Sequence, residues 1–122
     1  SLVGSEMCIR DRKYGVNSYL GMKVTFMNQI YDSAKKQNLS PQRIINGICN
    51  DDRIGFAHSR VPGYDGKRGF GGACLPKDMS AITKFDEDLT LIAESVKINN
   101  KMREEYELDE REKSNNINFE DK

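Results

Sequence analysis

Histidine occurs once in the 122 residues, as His58, and cysteine three times, as Cys8, Cys49 and Cys74. No Cys-x-x-Cys pair is present, and an odd count at wide, irregular spacing argues against a disulfide framework. A metal site would have to be built from carboxylates, and none cluster at ligand spacing, so no metal is expected. A Ser-His-Asp triad would have to use His58, which lies in a loop with no nucleophile motif beside it. It is read as an ordinary loop histidine. An excess of one charge is missing too. Lys plus Arg is 19 and Asp plus Glu is 19, which leaves no basic surplus for nucleic acid. No apolar run approaches the roughly 20 residues of a membrane-spanning helix. The start also lacks the continuous apolar stretch of a signal peptide. The expectation is a cytoplasmic protein with neither a membrane nor a nucleic-acid partner.

What is present is polar. Hydrophobic residues are 37%, charged residues 31% and the mean hydropathy is -0.71. Part of the length is therefore expected as solvated tail or exposed helix face, and the rest suffices for one domain with a modest core. Residues 6–12 match what one reading frame of a transposase-end sequencing adaptor encodes, so residues 1–12 are set aside as a library scar. On that reading Cys8 carries no meaning.

Residues 13–37 read as one long helix, with Val16, Leu20, Met27, Tyr31 and Ala34 at helical spacing. Met22, Phe26 and Ile30 form a second apolar face, which suggests burial between layers or at a subunit interface. Ser40 and Pro41 give an N-cap and a first-turn proline for a second helix, whose inner stripe is Ile44, Ile45, Ile48 and Cys49. Periodicity then vanishes between residues 51 and 74, where turn signals follow one another. Such a long connection in a small domain points to function. Pro76 opens a third helix with Met79, Ile82 and Phe85 inward. A fourth runs over residues 89–106 on Leu89, Ile92, Ala93, Val96 and Met102. Residues 108–122 are charged and asparagine-rich, and are expected to be a disordered tail. No strand pattern of useful length appears. The fold class is mainly α: a helical domain over residues 13–107 with a long first helix, a long Gly-rich loop and a long last helix.

The loop is Gly69-Phe70-Gly71-Gly72-Ala73-Cys74-Leu75-Pro76-Lys77-Asp78. Position 74 is cysteine where a dinucleotide fingerprint needs glycine, and the Gly-Lys-Ser/Thr ending of a phosphate loop is absent. The run instead places a cysteine just outside a helix start, where backbone N–H groups and the helix dipole favour an anion. Lys77 adds positive charge nearby. Those conditions favour a nucleophilic thiolate. The glycines are read as letting a bulky ligand approach the backbone. On the first helix, Lys13 and Asn17 project from one face a turn apart, with Gly21 leaving a gap below them. A cation, an amide donor and bare backbone suit an oxyanion or a ligand hydroxyl.

Three segments resemble one family. Residues 13–28 (Lys13-Tyr14-Gly15-Val16-Asn17-Ser18-Tyr19-Leu20-Gly21 and onward) are similar to the helix that opens the central domain of UDP-glucose and GDP-mannose dehydrogenases. Asp52-Arg53-Ile54-Gly55 resembles the family's substrate-contacting arginine segment, and residues 69–78 its active-site cysteine loop. The three come in family order, and the likeness spans residues 13–106.

The resemblance implies a fold and a set of roles. Cys74 would be the nucleophile that captures an aldehyde as a thiohemiacetal and carries it on to a thioester. Lys13 and Asn17 would stabilise the oxyanion, and Asp78 would move a proton or orient water. Arg53 would hold the nucleotide sugar, often across a subunit boundary. Phe70, Gly71 and Gly72 would line the sugar pocket, and Lys77 would lie on the cofactor side. The cofactor implied is NAD, the substrate UDP-glucose, and the assembly a homodimer through the long first helix. GDP-mannose and UDP-N-acetylmannosamine dehydrogenases remain alternative readings, because residues 58–68 make a longer connection than in many relatives. The family binds NAD through a separate dinucleotide domain, so this sequence is expected to be a fragment, inactive alone. A different class, a stand-alone helical dimerisation module, also stays open. Faster alkylation of Cys74 than of Cys49 is the expected mark of the enzyme.

Overall fold

The computed structural model describes the backbone of residues 2–120 and the side chains of residues 10–120. Cys8 and most of the adaptor-like start, residues 1–9, lie outside the described side chains. The fold is mainly α, and among the described residues there is no strand. Among the described residues five helices follow in order: α1 (Leu2–Lys36), α2 (Pro41–Cys49), α3 (Cys74–Phe85), α4 (Thr90–Arg103) and α5 (Glu110–Ser114). No helix among the described residues is long and apolar enough to cross a membrane.

Helix α1 is the spine, and α2, α3 and α4 all pack against it. Its absence of proline lets it run unbroken. The chain leaves it through Asn38, whose φ of 61° is the left-handed exit that asparagine tolerates. Helix α2 starts as expected: the Ser40 side chain accepts from the Arg43 N–H, and Pro41 occupies the first turn. Ile45 and Cys49 point inward from α2 and join Met27 and Val61 in the apolar core, with Ile30, Tyr31 and Ile48 around them. Cys49 is a core thiol, 1% exposed.

The gap at Gly21 is a packing device, not a ligand patch. A methyl group there would run into the Met79 thioether, with the Phe70 ring behind it. Met79 is fully buried, so it has no route out to solvent. Glycine in a helix interior costs about 1 kcal/mol against alanine, whereas overpacking a core costs about 1–3 kcal/mol. Gly21→Ala is therefore expected to lower the urea midpoint of unfolding despite its better helix propensity. A raised midpoint would mean that Met79 repacks without strain.

Several expectations need correction. Phe85 points out and is strongly exposed. Helix α4 ends at Arg103, short of residue 106, and Ala93 on it is exposed. Its buried positions are polar: Ser95, Asn99 and Arg103, four residues apart on one face. The apolar-period reading missed this stripe because it looked only for hydrophobic side chains. Of the segment expected as a disordered tail, residues 108–120 pack back onto the domain. Asp109 and Glu112 form a capping box that starts α5, and Ile117 and Phe119 are buried beyond it. The long last helix expected over residues 89–106 is α4, and it is followed by a short helix and a strap. Two large apolar side chains and one carboxylate suffice to hold it, which composition alone does not reveal.

Candidate active site

Helix α3 begins at Cys74, so the thiol sits on the first helical residue rather than outside the helix. Ala73 caps the helix with no side-chain acceptor. Pro76 falls within the first turn, where its missing N–H has no intrahelical partner to lose. Cys74 is exposed. Asp78 follows one turn later on the same face and is 4% exposed. The Asn17 side-chain amide donates to Asp78 Oδ2 at 2.6 Å, and Lys13 Nζ lies 3.9 Å from the same oxygen. Helices α1 and α3 thus bring Lys13, Asn17 and Asp78 together one turn from Cys74. The Asn17 bond is charge-assisted and part-buried, so it is the stronger tie. The Lys13 pair is exposed on the lysine side and screened by water. A buried carboxylate can take a proton from water. An ammonium and an amide beside it can donate to a developing oxyanion.

The loop before Cys74 is held from behind. Gly69 and Gly72 have φ of +76° and +78°, a conformation that favours glycine. Asn99 uses both edges of its amide on one residue: Oδ1 accepts from Phe70 N–H at 2.7 Å and Nδ2 donates to Phe70 C=O at 2.9 Å. Asn28 Oδ1 accepts from Gly69 N–H at 3.2 Å and from Arg68 Nε at 2.7 Å. Arg103 Nη2 donates to Gly69 C=O at 3.1 Å and pairs with Asp65 at 2.9 Å. Glu112 Oε2 accepts from Gly72 N–H at 2.8 Å. A side chain at Gly71 would collide with Arg103 and Glu112. The missing side chain at Gly71 therefore makes room for the protein's own Arg103 and Glu112. Phe70 itself is buried. It lines, with Gly71, Phe56, Arg60, Tyr64 and Arg111, a cleft of ≈520 Å³ beside the loop. His58 is an exposed residue at the edge of that cleft.

Two sequence-derived candidates lie elsewhere. Lys77 is exposed and faces a second cleft together with Lys84, Lys97 and Asn100. Arg53 faces a groove lined by Tyr19, Met22, Phe26 and Leu91, and within one chain it is not brought to Cys74. Its guanidinium is gripped by Asp51, at 3.0 Å through Nε and 2.7 Å through Nη2. That side-chain bond, aided by the Arg53 N–H, holds the Asp51 carboxyl below the usual carboxylate range. Lys23 donates to the carbonyls of Ile54 and Gly55 at 2.8 and 3.0 Å and so fastens this segment to α1.

Reading the sequence singled out Cys74, Lys13, Asn17 and Asp78 but missed Asn28, Asn99, Arg103 and Glu112, which brace the loop. The available signal was polar side chains at helical spacing (Ser95, Asn99, Arg103) where an inner stripe should be apolar, followed by Asp109-x-x-Glu112.

The model of the UDP-glucose/GDP-mannose dehydrogenase family, central domain, matches residues 7–103. The chain is 42% identical over 78 residues to a UDP-glucose 6-dehydrogenase of Rhizobium meliloti (strain 1021), covering 62% of this chain and 16% of that protein. It is 47% identical over 62 residues to the UDP-glucose 6-dehydrogenase of Campylobacter jejuni, 51% of this chain and 14% of that protein. It is 36% identical over 72 residues to the GDP-mannose 6-dehydrogenase of Pseudomonas aeruginosa, 58% of this chain and 16% of that protein. The aligned stretch thus makes up about a sixth of each of these relatives. With most of its length matched by the family's model, the chain belongs to the UDP-glucose/GDP-mannose dehydrogenase family and carries its central domain.

Proposed function

We propose that this domain carries the covalent chemistry of an NAD-dependent oxidation of UDP-glucose to UDP-glucuronate. The observation that supports it most is the meeting of Lys13, Asn17 and Asp78 one turn from the exposed Cys74. The sugar 6-hydroxyl loses a proton and a hydride and becomes an aldehyde. The Cys74 thiolate then adds to the carbonyl carbon, forming a C–S bond as the C=O electron pair moves to oxygen. Lys13 and Asn17 donate to that oxyanion, which takes a proton to give the thiohemiacetal. Loss of its hydroxyl proton and a second hydride gives the thioester. Asp78 accepts a proton from water, the hydroxide adds, the C–S bond breaks, and the thiolate departs from the carboxylate product. One alcohol and one water become a carboxylate, with four electrons passed on.

NAD supplies the hydride acceptor for both oxidations when bound. The described residues fit only its edge. Lys77, Lys84 and Lys97 around one cleft suit a pyrophosphate, and no strand-turn-helix cradle lies among them. We assign Lys77 to the cofactor phosphates and the rest of NAD binding to other parts of the enzyme.

The exposed apolar face of α1 supports a homodimer. Tyr19, Phe26, Ile54 and Leu91 border one groove, all well exposed, with Arg53 among them. A second copy laid on that face would cover them and carry Arg53 toward another copy's substrate. Sedimentation of the wild-type chain should give twice the monomer mass, and Phe26→Glu with Leu91→Glu should return it to one. A wild-type monomer at micromolar concentration would end this assignment.

The functional test grafts residues 13–120, strap included, in place of the central domain of the Rhizobium meliloti relative. The graft should form two NADH per UDP-glucose consumed, and prefer UDP-glucose to GDP-mannose, whereas the chain by itself should form none. A folded graft that binds NAD yet oxidises no nucleotide sugar would defeat the proposal.

A further inference from the structure

The chemistry just proposed makes no use of the most deeply buried carboxylate among the described residues. Glu112 is 1% exposed, and its two oxygens do different things. Oε2 accepts from Gly72 N–H at 2.8 Å, while Oε1 accepts from Asp109 N–H at 2.9 Å and closes the capping box of α5. Arg103, itself 2% exposed, supplies the facing positive charge, with Nη1 at 3.8 Å from Oε2. A helix as short as α5 does not persist unaided. The group that caps it is therefore the same group that fixes the peptide two residues before Cys74.

We propose that Glu112 is a positioning residue for Cys74, tying the α5 strap and the cysteine loop into one ordering unit through the Gly72 amide. This rests on the reading of Cys74 as the nucleophile. Gly72 adopts a φ of +78°, so its peptide sets the direction in which the chain enters α3 and hence where the first side chain of that helix points. Asn99 and Arg103 hold Phe70 and Gly69 further back. Of the contacts that α4 and α5 make to the loop, the Glu112 bond is the nearest to the thiol along the chain.

The test uses the full chain and two double variants. Arg103→Met with Glu112→Met removes the buried ion pair as a unit, a change that proteins often tolerate, and takes away the acceptor for Gly72. Arg103→Met with Glu112→Gln removes the same charges but returns a carbonyl acceptor. Hydrogen exchange at Gly72 and site-resolved alkylation of Cys74 by iodoacetamide are read on each. In the Met/Met protein, Gly72 exchange should rise about tenfold and the Cys74 rate should change at least threefold. The Met/Gln protein should recover most of both. Unchanged exchange at Gly72 would overturn the tether. Raised exchange with a wild-type Cys74 rate would leave Glu112 a structural residue only and overturn the positioning role. If the wild-type thiol reacts no differently from that of the urea-unfolded chain, the nucleophile reading fails and the role at Cys74 with it. Gly72 would still respond, so the two failures are distinguishable.

Discussion

Serine in place of Cys74 is expected to lower turnover of the grafted enzyme by roughly 10³- to 10⁶-fold, the range seen when a covalent nucleophile is removed. The loss should fall on one half of the reaction. Oxidation of the alcohol to the aldehyde needs a hydride acceptor and a base but no C–S bond. The second oxidation needs a covalent adduct, and a serine hydroxyl, far less ionised than a thiol near neutral pH, forms it poorly. Cys74→Ser is therefore expected to give about one equivalent of NADH per site in a first turnover and then stop. Steady production of two NADH per sugar by this variant would show that Cys74 is not the nucleophile. The alkylation contrast between Cys74 and Cys49 is a weaker guide than the sequence suggested. Cys49 is 1% exposed and Cys74 lies at the surface, so access alone makes Cys74 react faster. The informative comparison is Cys74 with and without its polar neighbours, for example in Asp78→Asn.

Replacing Arg103 alone by methionine should lower stability by about 3–5 kcal/mol, because it leaves the Glu112 carboxylate buried without its countercharge. Arg103 also releases Gly69 C=O and Asp65 when lost. Among the described residues its Nε and Nη1 find no hydrogen-bond acceptor. This ion pair is therefore already under-satisfied, and the double change to methionine with Glu112 should recover most of the loss. Urea unfolding of the two variants decides it. A single-variant cost below about 1 kcal/mol would mean that the pair behaves as a solvated one.

The parts of the molecule that follow from local rules could be read from the sequence. Pro41 after Ser40 marked α2, and the apolar spacing of Met27 and Ala34 marked the inner face of α1. The glycine run announced a special loop. Gly71 looked like room for a ligand, and its Cβ side is filled by Arg103 and Glu112. Gly21 looked like part of a polar patch and is the seat of Met79. Both outcomes have one physical cause. A missing side chain shows that something comes close, but only tertiary structure tells what. The polar stripe of α4 and the folding of residues 108–120 stayed hidden for a related reason. Asn99, Arg103 and Glu112 are buried only because each finds a partner some 30–40 residues away along the chain.

The family's matched region stops at residue 103, and Glu112 lies beyond it. An expression boundary placed at that point would keep Cys74, Asp78, Asn17 and Lys13, every group assigned to the chemistry. It would nevertheless remove the acceptor of the Gly72 amide and the ring of Phe119 beneath the Arg103 guanidinium. A trimmed protein of that kind would retain its whole chemical inventory and lose the alignment that makes it useful. Any search for the smallest working version of this domain should therefore extend past the strap rather than stop where family likeness fades.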